Sequence, residues 1–78
     1  MKQVPYRMKE PFECMVYDTE PQKVTNPYSG DSTMLTPEEI AVYDTIKGAE
    51  LAGLYDIVRK GVDWFVQYNI NAYSVLLD

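Results

Sequence analysis

The chain has 78 residues, an apolar fraction of 46% and a net charge of −5. That length allows one domain with a thin core, and the apolar content argues against disorder. An acidic body repels phosphate backbones, so nucleic acid is not an expected partner. No apolar run approaches the roughly 18 residues that a membrane span needs, so no membrane partner is expected either.

Residues 1–11 read as an extended arm. They carry Lys2, Arg7 and Lys9 against Glu10, whereas residues 12–78 carry four basic and eleven acidic side chains. Two prolines and no apolar period suggest that the arm is dispensable for folding. It also lacks the apolar stretch of a signal peptide, so the protein is expected to stay where it is made.

Phe12 to Tyr17 alternates, with Phe12, Cys14 and Val16 on one side, which is the period of a half-buried strand. A second extended piece starts near Lys23. Asn26-Pro27-Tyr28-Ser29-Gly30-Asp31 is turn chemistry, and residues 23–35 read as a β-hairpin with a loop of three to five residues. Thr36-Pro37-Glu38-Glu39 is a capping box with proline at N1. Leu35 and Ile40 are spaced as a hydrophobic staple. A helix follows over 37–52, with Ile40, Val42, Tyr43, Ile46 and Ala49 as its apolar stripe and Gly53 as its stop. Gly48, inside it, would permit close approach of a neighbouring helix.

A second helix spans 55–68, with Leu54, Ile57, Val58, Val62 and Phe65 on one face. Asn71 would cap a last short helix over 72–77 that presses Tyr73, Leu76 or Leu77 onto the core. The fold class is therefore α+β: residues 12–78 form one small domain, with the arm and hairpin followed by two or three packed helices.

Little chemistry is on offer. The chain has no histidine and a single cysteine, so it lacks the usual general base, a Cys–His pair and a zinc-binding set. Cys14 reads as a buried, inert thiol. Ser29-Gly30-Asp31-Ser32 fits a turn better than a nucleophile, and one glycine makes no phosphate loop. Glu38, Glu39 and Asp44 lack the spacing of a calcium loop, and the capping box already explains the two glutamates. No catalytic residue, metal or cofactor is expected, and the chain is not read as an enzyme.

The candidate partner-binding residues are Trp64, Tyr68, Tyr73, Arg59 and Lys60. Trp64, Phe65, Tyr68 and Tyr73 form the densest aromatic group. They either pack between helices or leave one ring as an anchor, since Trp64 and Phe65 point about 100° apart on a helix. Arg59 and Lys60 either pair with Asp56 or Asp63 at helical spacing or meet an acidic partner.

Asn26-Pro27-Tyr28-Ser29-Gly30, Ala41-Val42-Tyr43-Asp44, Gly48-Ala49-Glu50, Arg59-Lys60-Gly61-Val62-Asp63-Trp64-Phe65 and the terminal Ala72-Tyr73-Ser74-Val75-Leu76-Leu77-Asp78 together resemble small uncharacterised proteins of tailed bacteriophages, including marine ones. The resemblance covers about residues 24–78. It implies a viral origin, with a place in the host cytoplasm during infection or in the virion, and assigns no residue a role. The expected function is a non-enzymatic interaction module that binds a host or phage protein, or another copy of itself. The alternative is a small structural component of capsid or tail, whose proline-spaced N-terminal third would lie as an arm across a neighbouring subunit. A mimic of nucleic acid is a weaker idea, since −5 is an ordinary charge for a soluble domain.

Overall fold

The computed structural model describes residues 5–78. Two short antiparallel hairpins precede three helical elements. The first hairpin pairs β1 (Tyr6–Met8) with β2 (Cys14–Val16), in a register that sets Tyr6 opposite Val16 and Met8 opposite Cys14. The alternation expected of Phe12 to Tyr17 holds. Phe12 and Val16 are buried, Cys14 is half-buried, and Glu13 and Tyr17 are exposed.

The described part of the N-terminal arm is thus not loose. Tyr6–Met8 is hydrogen-bonded to β2, Met8 packs on the core, and the Tyr6 hydroxyl donates to Glu38 on the first helix. The reading of an arm that offers little to the core did not include this pairing, because three residues show too little apolar period to read as a strand. Residues 1–4 of that arm lie outside the described residues.

The second hairpin joins β3 (Gln22–Thr25) to β4 (Ser32–Leu35), with Gln22 opposite Leu35 and Thr25 opposite Ser32. Its loop, residues 26–31, is longer than the three to five residues expected. Asn26 is the reason. Its Oδ1 accepts from the amides of Tyr28 (2.8 Å) and Ser29 (3.4 Å), and its carbonyl accepts from Gly30 N–H (2.9 Å). Gly30 supplies the left-handed backbone, at φ 80°. The Asn26 side chain also donates to the Val75 carbonyl at 3.0 Å, which fastens the loop to the C-terminal turn.

Helix α1 (Pro37–Ala52) begins and ends where its chemistry dictates. Glu39 N–H donates to Thr36 Oγ1 at 3.2 Å, and Thr36 N–H donates to Glu39 Oε1 at 2.9 Å, completing the capping box. Leu35 and Ile40, the staple pair, are both in the core. Gly53 stops the helix in the left-handed region at φ 74°. Leu54 N–H reaches the Ala49 carbonyl and Gly53 N–H the Glu50 carbonyl, which is a Schellman motif. That turn also carries Leu54 away from the core, leaving it exposed rather than on the packed face of the next helix.

Helix α2 (Tyr55–Tyr68) packs on α1. The glycine that lets the two approach is not Gly48, which is exposed with open space around it. It is Gly61, buried beneath Ile46 and Phe12. Periodicity could not separate the two, because glycine carries no apolar signal of its own. The last element starts earlier than expected and is irregular: one α turn, α3 (Ile70–Ala72), runs into a π-helical turn over Tyr73–Leu77. Asn69 caps it, not Asn71. Its Oδ1 accepts from Ala72 N–H at 3.1 Å while its Nδ2 donates to Glu39 Oε2 at 3.0 Å, tying this end to the start of α1. Phe65, Leu35, Ile46, Val16 and Val42 are the largest wholly buried side chains. One core joins Leu35 of the second hairpin with Ile46 and Phe65 of the two long helices and with Phe12, while Met8 and Cys14 of the first hairpin pack against it.

Candidate functional site: the outer face of α2

The sequence of α2 separates two faces at about 100° per residue. Gly61 and Phe65 are buried, and Ile57, Val58 and Val62 are half-buried. Asp56, Arg59, Lys60, Asp63, Gln67 and Tyr68 are exposed. Trp64 stands on the boundary. Its indole meets the wholly buried Phe65 ring edge-on, with centroids 5.1 Å apart, and lies 5.7 Å from the Tyr68 ring one turn later. One aromatic of the adjacent pair therefore serves the core, and the other fronts a surface.

That surface is an open groove of about 540 Å³. Lys60, Asp63, Trp64, Gln67 and Tyr68 form one side, and Glu10 and Pro11, from the connection between β1 and β2, form the rim. Tyr68 is 66% exposed. Trp64 packs against the core and on the Phe65 and Tyr68 rings, and its indole N–H has no acceptor among the described residues. The ion pairs of the described residues are Arg7–Glu13 (3.9 Å) and Lys47–Glu50 (3.2 Å). The local pairing expected of Arg59 and Lys60 with Asp56 or Asp63 does not form. These side chains are solvated, and an exposed helical pair gains only about 0.3–0.5 kcal/mol.

Lys60 also borders a second hollow, of about 580 Å³, with Leu54, Tyr55, Asp56 and Ile57. The outer face of α2 is thus one continuous strip, with aromatic and aliphatic groups at both ends and charges between them. Three of the five sequence candidates, Lys60, Trp64 and Tyr68, come together on it. Arg59 lies on the far flank of the helix and outside the groove. Tyr73 is half-buried against the core in the C-terminal turn. Asp63 and Gln67 were missed, although they stand three and seven residues from Lys60 and helical spacing could have found them. Glu10 and Pro11 come from another element, and nothing in their local sequence places them there.

A third hollow, of about 300 Å³, lies between β2 and α1 and contains Cys14, Asp18, Asp44 and Thr45. Partial burial pushes the Cys14 thiol up from its ordinary range, against a smaller opposing effect of a hydrogen bond with Thr45. Burial, and to a lesser extent the charge of Asp18, raises Asp44 as well. No group of three metal-ligating side chains converges among the described residues. Glu38 and Glu39 are engaged in structure, the first by Tyr6 and the second by the cap and Asn69. The groove presents an aromatic platform, an indole N–H without an acceptor among the described residues and side chains of both signs. No helix of the described residues is long and apolar enough to cross a membrane. Comparison with protein-family models, with curated proteins and with solved structures finds no match.

Proposed function

We propose that the chain is a non-enzymatic, phage-encoded interaction module that docks on a protein through the outer face of α2. One observation carries the reading: Trp64 and Tyr68 present a ring platform beside Lys60, with polar groups that have no partner within the described chain. Tryptophan and tyrosine supply a large rigid contact area with a polar tip, and they dominate interface energetics. The phage origin rests on the sequence resemblance over residues 24–78.

The virion-component alternative drew on an arm free to cross a neighbouring subunit. Tyr6–Met8 is instead paired within the chain, and the interaction module is the preferred reading. Copurification from cells in which the chain is naturally made tests it. Tyr68→Ala and Lys60→Glu should each lose the protein retained by the wild type, with melting unchanged. Equal retention by all three would refute docking on this face.

A further inference from the structure

The four charged side chains of α2 are two acids and two bases, so this helix is neutral in a chain of net charge −5. Two copies of the chain carry the same net charge of −5, and a strip that is itself neutral adds no repulsion to their contact. All four charges are exposed, and none is in an ion pair among the described residues. Their order along the strip is Asp56, Lys60, Asp63, with Gln67 following.

We propose that the occupant of this face is a second copy of the chain, its α2 packed antiparallel across a two-fold axis that sets Lys60 opposite Asp63 of the second copy. The proposal rests on the reading of the α2 face as an interface and names its partner. An isologous contact requires the same patch to complement itself, and this strip does. The register that pairs Lys60 with Asp63, twice by symmetry, also sets Asp56 opposite Gln67. A two-fold axis of this kind keeps each flank of the helix on its own side. Ile57, Trp64 and Tyr68 share one flank at helical spacing, so the Trp64–Tyr68 end of each copy meets the Ile57 end of the other. The exposed Tyr55 and Val66 share the opposite flank and meet in the same manner. Fourteen residues give a contact about 21 Å long. An interface that short is at the small end of specific contacts, so the dimer is dissociable.

Sedimentation of the full chain across protein concentration tests this. The wild type should pass from monomer to dimer. Lys60→Asp or Asp63→Lys alone sets like charges face to face in both symmetric pairs, and should weaken the dimer about tenfold or more. The double variant K60D/D63K exchanges the signs and should restore it. Every position is exposed, and thermal melts of the variants verify folding. A wild type that stays monomeric at about 1 mM overturns the proposal. So does a dimer indifferent to the single reversals, or one that the double reversal fails to restore. A monomeric chain that still loses a copurifying protein on Tyr68→Ala would remove the second copy as occupant and leave the docking reading standing. A monomer whose copurification ignores Tyr68 would remove both.

Discussion

Replacing Gly61 by alanine puts the packing of α1 on α2 to a direct test. A Cβ at Gly61 would stand 2.4 Å from Ile46 Cγ1, 2.5 Å from Ile46 Cδ1 and 3.2 Å from Phe12 Cε2. Carbon atoms rest at about 3.5–4.0 Å, so Ile46 has to move by an ångström or more. It is wholly buried and has no solvent to move into. Overpacking of this kind costs about 1–3 kcal/mol, while alanine in place of glycine returns about 1 kcal/mol of helix propensity. The net is a loss of about 1 kcal/mol, which lowers Tm by about 4–8 °C in a domain of this size. Gly48→Ala is the internal control. It lies within α1 with nothing within 4 Å of the added Cβ, so only the propensity gain remains and Tm should rise. Thermal melts by circular dichroism read both. Ile46→Ala removes the two clashing atoms, so Gly61→Ala should cost less in that background than in the wild type. Equal shifts for Gly61→Ala and Gly48→Ala would refute the helix crossing described above.

Thr36→Ala should cost about 0.5–2 kcal/mol in a melt, because Glu39 N–H loses its acceptor; an unchanged midpoint would mean the cap does not hold the helix. Tyr6 is pushed up from 10.0 to about 12, chiefly by its hydrogen bond to Glu38 and then by burial. A raised folded value keeps the phenol protonated, so its contribution to stability is whole below pH 10 and is lost as the pH rises towards 12. Denaturant melts should therefore show an alkaline loss in that window that is absent from Tyr6→Phe; identical profiles would refute it. Deleting residues 1–8 strips β1 from β2 and removes Met8 from the core, and should cost roughly 1–3 kcal/mol; an unchanged melt would restore the view of a dispensable arm.

Where local chemistry decides structure, the sequence was readable. The capping box and Gly53 set both ends of α1, and the apolar spacing of α2 set its extent, because each signal is contained within a few residues. Phe65 and Trp64 separated as their 100° offset requires. What stayed hidden depends on distant partners. Asn69, not Asn71, caps the last element because Glu39, thirty residues away, holds its amide. Gly61 rather than Gly48 makes the close approach because Ile46 and Phe12 lie above it. β1 exists because β2 pairs with it. On the candidate site, the sequence singled out Trp64 and Tyr68 as aromatics and Lys60 as a base separately, and their four-residue spacing puts them on one helical face, whereas Glu10 and Pro11 reach the groove only through the first hairpin.

Whether the outer face of α2 meets another protein can be read with a photo-crosslinking residue in place of Tyr68, with the same residue in place of Tyr28 as comparison. Tyr28 is 95% exposed on the hairpin loop, away from the groove lining. In cells in which the chain is naturally made, illumination should join a protein to position 68 and leave position 28 unmodified. Crosslinks at position 28 that equal those at 68, or none at 68, would contradict the account.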